Sequence, residues 1–211
     1  MNYTIEKIKK IFVKKDYRFF DGIYNLNIIG VRSPTMKSNR FDDLLLVVYR
    51  NENLQWVIKQ YVVTTDPGKN YLTSPLDKNG TIIMVPGQYP GAYAIGIHGR
   101  SKRLTRQYEA LEQVKPMCYV RDNNRDDLLN FELMDNPKNH IWGIFKTNIH
   151  RAGSWWHRKL RQIFPVGPNG AGCQVHEYSD AFEEMMGLAR KARARYGNSF
   201  TYTLLKQSDF S

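Results

Sequence analysis

The segment Gly80-Thr-Ile-Ile-Met-Val-Pro-Gly-Gln-Tyr-Pro-Gly-Ala-Tyr-Ala-Ile-Gly-Ile-His98 sets the expected fold. Its β-branched and aromatic residues favour extended chain, and its Pro/Gly centre reads as a turn between two strands. Similar runs lie on either side. Asn27 to Arg32, Leu44 to Tyr49 and Leu54 to Thr65 are rich in Val, Ile, Leu and Tyr, with Asn51-Glu52-Asn53 as a hairpin loop. Pro116 to Arg121, Trp142 to Ile149 and Phe200 to Leu205 continue the series. Two helices interrupt it. Ile5, Ile8, Ile11 and Phe12 recur at helical spacing within residues 3–14. Residues 179–196 form the long helix, with Ser179 as its cap, acidic residues early and Arg190 to Arg195 late. Phe182, Met185, Met186, Ala189 and Tyr196 supply its apolar stripe. The expected class is mainly β (α+β), with a short N-terminal helix and one long helix near the C-terminus.

The chain has 211 residues, 42% of them hydrophobic. That is enough for a core and argues against a disordered chain. One domain is expected over 1–211, with 1–25 as a helical extension and a core of about 26–206. Net charge is +11, gathered in three windows: +3 at 99–115, +4 at 151–161 and +4 at 187–195. Such patches suit a polyanionic partner. Two cysteines, Cys118 and Cys173, make no disulfide framework. Cys118 alternates with apolar neighbours and reads as core. No signal-peptide pattern and no membrane-length apolar run is visible, so synthesis in the cytosol without membrane insertion is expected.

The chemistry-bearing stretch is Thr147-Asn-Ile-His150-Arg-Ala-Gly153, followed by Val166-Gly-Pro-Asn-Gly170-Ala-Gly172-Cys173-Gln-Val175. A histidine ends a strand, and a cysteine follows a Gly-rich turn. A thiol attacks as thiolate, and a neighbouring imidazole that takes its proton makes it a nucleophile. Small residues before the cysteine leave backbone N–H groups for an oxyanion hole. The same residues also suit a buried strand cysteine after an ordinary turn.

His-x-x-Gly, a loop and then Gly-Cys resembles the signature of the L,D-transpeptidase catalytic-domain family. Gly-Gln-Tyr-x-Gly-Ala-Tyr, Asn-Ile-His-Arg-Ala, Ala-Gly-Cys-Gln-Val and Phe-Thr-Tyr-Thr-Leu are similar to phage-encoded, lysin-like members, over roughly residues 80–205. The resemblance implies a β-sandwich or barrel with His150 as base and Cys173 as nucleophile. It also implies an oxyanion hole from the backbone of Gly172, Cys173 and Ala171. The implied activity is peptidoglycan stem-peptide cleavage or exchange through an acyl-thioester, without cofactor or metal. The enzyme would act at the cell wall after holin release, or travel in a virion beside other virion proteins. The family's Ser/Thr-His before Gly-Cys is Gly170-Ala171 here, and Gln174-Val175 replaces the Arg or Asn after it. A catalytically degenerate virion structural or cargo protein of the same fold is therefore a second expectation.

His98 follows a strand and is expected to line the cleft with Asn148, Arg151, Trp155 and Trp156 as substrate contacts. His98, His150, Cys173 and His176 have zinc-ligand chemistry but no paired short spacing, so no metal is expected. Asp122 to Leu133 fails the calcium-loop pattern at its sixth position and reads as a solvated turn. Trp155-Trp156 among Arg151, Arg158, Lys159 and Arg161 suits stacking on sugars or bases, or a loop packed over the cleft. No nucleic-acid motif accompanies it, which places a nucleic-acid-binding module last.

Overall fold

The computed structural model describes residues 2–100, 104, 107–153 and 165–211. Trp155, Trp156, Arg158, Lys159 and Arg161, with Lys102, Arg103 and Arg106 of the 99–115 window, lie outside the described residues.

Eleven strands are described: β1 (Asn27–Arg32), β2 (Asp43–Arg50), β3 (Trp56–Thr64), β4 (Thr81–Met84), β5 (Gly87–His98), β6 (Tyr108–Gln113), β7 (Met117–Asp122), β8 (Ile141–Gly143), β9 (Ile149–Arg151), β10 (Gln174–His176) and β11 (Phe200–Lys206). Eight close a barrel in the order β1-β11-β5-β6-β9-β10-β3-β2, and β4-β7-β8 form a separate antiparallel sheet. Within the barrel β1·β11 and β9·β10 are parallel, and the other neighbours are antiparallel. The chain is thus mainly β, as its strand signals predict.

Helix α1 (Ile5–Lys14) starts at Thr4, whose hydroxyl accepts from the Lys7 N–H at 3.3 Å. Its buried stripe of Ile8, Ile11 and Phe12 covers Ile29, Val31, Leu46 and Val48 on the outside of the barrel. The opposite side chains, Ile28, Leu45 and Val47, join the main core. Both faces of β2 are therefore covered, which is why Leu44 to Tyr49 is a continuous apolar run rather than an alternation. Helix α2 (Lys69–Thr73) is a short turn. Helix α3 (Ser179–Tyr196) adds Phe182, Met185, Met186, Ala189 and Ala192 to the main core.

Five details differ from the sequence reading. The strands of 80–98 do not pair with each other. β4 pairs with β7, while β5 crosses into the barrel between β11 and β6. Pro90 and Gly91 lie inside β5, where the pairing with β11 shifts register and Gly91 takes φ +60. The 142–149 segment is two short strands, β8 and β9, in different sheets. β6, whose sequence Tyr-Glu-Ala-Leu-Glu-Gln lies in a charged window, is a barrel strand. The N-cap of α3 is Tyr178, without a side-chain cap bond, and Ser179 is the first helical residue. Tyr196 is 48% exposed and belongs to no buried stripe; its hydroxyl donates to the Ile23 carbonyl.

Candidate functional site

The parallel pair β9·β10 brings the two chemistry-bearing stretches together. Gln174 registers with Ile149, and Val175 with His150. The Gln174 N–H donates to the Asn148 carbonyl at 3.0 Å, one step before the ladder, so Cys173 lies beside Asn148 at its entrance. Strand alternation puts Asn148 and His150 on one face of β9, while Ile149 takes the core face. Val175 is fully buried opposite His150.

The turn before Cys173 is tightly constrained. Gly172 has φ +106, and a Cβ there would lie 2.9 Å from the Ile82 carbonyl oxygen of β4. Only glycine fits both the conformation and the approach. The Gly68 N–H donates to the Gly170 carbonyl at 2.8 Å, which ties this turn to the 65–68 segment.

Cys173 is partly covered as a residue, yet its sulfur sits deep. Burial pushes the thiol up to about 11, while the backbone N–H groups of Asn148 and Ala171 pull the other way. The thiol donates to the Lys146 carbonyl at 3.7 Å. Of the three residues expected to form an oxyanion hole, Ala171 is the one whose backbone opposes the upward shift of the thiol. The N–H of Asn148, a residue expected as a substrate contact, donates to the Lys146 carbonyl at 2.9 Å, the same oxygen that accepts the thiol.

Histidine tautomers follow from the partners. The His150 Nδ1 lies 2.9 Å from the Arg151 carbonyl, which can only accept, so Nδ1 carries the proton and the basic lone pair of the neutral ring is on Nε2. Asn148 Oδ1 accepts from the Gln113 N–H at 3.0 Å, which fixes the amide. Its Nδ2 then donates to His98 Nδ1 at 3.3 Å, so the neutral His98 ring is protonated on Nε2. The His98 and His150 rings stack at 4.4 Å and 21°. Tyr108 touches His98 at 5.2 Å, and the Arg151 guanidinium lies 4.2 Å over the Tyr108 ring.

The structure therefore brings Cys173, Ala171, Gly172, Asn148, His150, Arg151 and His98 into one neighbourhood. Gln113 and Tyr108 also belong to it, and the sequence reading did not single them out. Gln113 Oε1 accepts from the Phe145 and Thr147 N–H groups, and its Nε2 donates to the Lys115 and Gly143 carbonyls. It thereby shapes the 143–148 segment that carries the sulfur's acceptor. A glutamine in a charged window gave no signal of this.

His176 stands apart, fully buried between Tyr61 and Phe182 at 5.4 and 5.5 Å, with burial lowering it to about 3. No group of three or more metal-ligating side chains is found among the described residues. A cavity of about 690 Å³ lined by Gln60, Tyr61, Tyr178, Asp180, Ala181 and Glu184 contains none of the expected site residues. A smaller one of about 150 Å³ reaches Ala171 and Phe145, the neighbours of the cysteine turn and of Lys146. No helix among the described residues is long and apolar enough to cross a membrane. A scan against family models, a search of curated proteins and a search of solved structures find no match to the chain.

Proposed function

We propose that the chain is a cysteine-dependent enzyme acting on the stem peptide of bacterial peptidoglycan, a cysteine peptidase or transpeptidase similar in site and mechanism to the L,D-transpeptidase family. The observation that carries this reading is the β9·β10 pair. It seats Cys173 beside the strand of His150, whose Nδ1–H is held by a carbonyl and whose basic nitrogen is Nε2. A thiol near 11 is almost wholly protonated at neutral pH. Attack therefore requires proton removal as the bond forms, with His150 as general base rather than partner of a standing thiolate. The Cys173 Sγ adds to the peptide carbonyl carbon, and the Sγ proton passes to His150. Collapse breaks the C–N bond, the proton leaves on the departing amine, and an acyl-thioester remains. Water or an acceptor amine resolves it. The backbone N–H groups of Ala171, Gly172 and Cys173 in the turn are the donors this reading assigns to the developing oxyanion.

A second reading has its own observation. A buried, neutral thiol donating to the Lys146 carbonyl also suits a structural cysteine in a degenerate, virion-carried member of the same fold. One experiment separates the two. Intact mass after incubation with purified muropeptides is expected to show an acyl adduct on wild type and none on Cys173→Ser. Turnover retained in Cys173→Ser would remove the nucleophile, and no adduct or product from any muropeptide would favour the structural reading.

A further inference from the structure

The cavity beside Ala171 is the second feature of the cysteine's surroundings. Its walls come from the 71–77 segment (Tyr71, Leu76, Asp77), β4 with the Gly80 before it (Thr81, Ile82), β7 (Arg121), Phe145 and Ala171. Two of these adjoin groups at the sulfur. Ala171 lies two residues before Cys173 in the same turn, and Phe145 precedes Lys146, whose carbonyl accepts the thiol. The cavity and the thiol thus share both flanking backbone segments. Its volume of about 150 Å³ leaves room for several waters or one small ligand group.

The lining is apolar apart from one charged pair, Thr81 and the Tyr71 hydroxyl, which donates to the Pro168 carbonyl at 3.1 Å. The Thr81 hydroxyl is spent on the Tyr71 carbonyl. Arg121 Nη1 donates to the Gly80 carbonyl at 2.8 Å, and Nη2 pairs with Asp77 Oδ2 at 3.0 Å. The guanidinium carbon sits 5.6 Å from the centre of the Phe145 ring. A guanidinium has five N–H groups in a rigid fork, and these two contacts use only part of it. Its side chain is 22% exposed, whereas that of Asp77 is 44% exposed at the rim. A planar cation held against an aromatic ring at a small apolar cavity is matched by a carboxylate on a short apolar body.

We propose that this cavity is a subsite for a peptide carboxylate, read by Arg121 on the Phe145 ring, with Asp77 as an internal competitor for the same guanidinium. Its place in catalysis rests on the reading of Cys173 as nucleophile; the binding does not. The carboxylate could be a chain terminus or an acidic side chain, and the probes distinguish these sources.

The test uses the full chain as Cys173→Ala, so that turnover plays no part. N-acetyl-alanyl-alanine, its C-terminal amide, and N-acetyl-alanyl-glutamate with an amidated terminus are titrated against ¹⁵N-labelled protein. The Arg121 side-chain signal and the Ala171 and Phe145 amides are followed. A carboxylate probe is expected to move all three and to bind at least tenfold more tightly than the alaninamide. A stronger response to the first probe assigns the site to a terminal carboxylate, and to the third an acidic side chain. Arg121→Gln is expected to weaken binding at least tenfold, Arg121→Lys by less, and Asp77→Asn to tighten it several-fold. Equal binding of all three probes, or unchanged binding in a folded Arg121→Gln, would overturn the subsite. Weaker binding in Asp77→Asn would overturn the competitor. If muropeptides leave no adduct on Cys173 while the carboxylate preference persists, the subsite stands and its role in that reaction falls.

Discussion

At the scale of single residues, the site turns on where a few protons sit. Carbonyl and amide partners fix the tautomers of His150 and His98. Asn148 connects them: its side chain bridges Gln113 and His98, its carbonyl receives the Gln174 N–H, and its own N–H donates to the Lys146 carbonyl that also accepts the thiol. Its side chain is a strut of the site. Cys173 carries the most direct prediction. Because burial favours the neutral thiol, its alkylation by iodoacetamide in a Cys118→Ala background should rise roughly tenfold per pH unit from 7 toward about 11. Intact mass against time reads the rate. A plateau below pH 9 would show a thiolate already held by a cation, and the general-base account would fail.

At the scale of elements, α3 is tied to the site by ring contacts. Phe182 meets Tyr108 edge-on at 5.9 Å, Tyr108 meets His98, and His98 stacks on His150. The Arg190 to Arg195 cluster, legible in the sequence as charge at a helix C-terminus, is engaged locally. Arg190 pairs with Glu109 at 2.8 Å, and Lys191 and Arg195 lie over the Tyr24 ring. Three of the four charges in that part of the +11, Arg190, Lys191 and Arg195, thus have intramolecular partners. Phe182→Ala is expected to cost about 3–5 kcal/mol, since it empties a fully buried ring position in the core. Val13→Ala on α1, where the side chain is 81% exposed, should stay within about 0.5 kcal/mol. Urea unfolding of the two variants checks the contrast, and comparable losses would mean that α3 is not seated in the core.

At the scale of the whole molecule, barrel and small sheet are joined through a buried ionic network. Arg32 at the end of β1 pairs with Asp66 at 2.9 Å and donates to the Thr65 hydroxyl and to the Met84 carbonyl of β4. Asp43 at the start of β2 accepts from the Ser33 and Thr65 N–H groups and the Thr65 hydroxyl. Burial, aided by the neighbouring Asp66, raises Asp43 to about 7. Folding therefore takes up a proton between about pH 4, where the unfolded carboxyl titrates, and about 7. Stability from this group is lost as pH rises through that window. His176 acts the other way. It is neutral when folded down to about pH 3 but charges near 6.5 when unfolded, so its cost grows as pH falls. Each slope approaches ~1.4 kcal/mol per pH unit. The two offset each other from about pH 6.5 to about 4. Relative to wild type, His176→Leu should gain stability on acidification from 7 to 4 and Asp43→Asn should lose it. Denaturant unfolding at several pH values measures both, and parallel curves would refute the assignment.

The sequence by itself determined most element positions, because hydrophobic period is local. α3 spans residues 179–196 as its pattern predicts, and β1 spans Asn27–Arg32. It also marked His150 and Cys173 as the residues with chemistry to offer, since thiol and imidazole are rare and legible one at a time. Only the tertiary structure decided which strands pair. β4 and β5, and likewise β8 and β9, are neighbours in the chain but belong to different sheets. Strand pairing is set by non-local hydrogen bonds and by which faces find cover, and neither leaves a mark within a short window of sequence. The same holds for the surroundings of the thiol. Its depth, the Lys146 carbonyl, the backbone of Ala171 and Asn148 and the Arg121 cavity come from segments scattered between residues 71 and 173. Backbone groups of unremarkable residues set that environment, and their identity says nothing of where folding aims them.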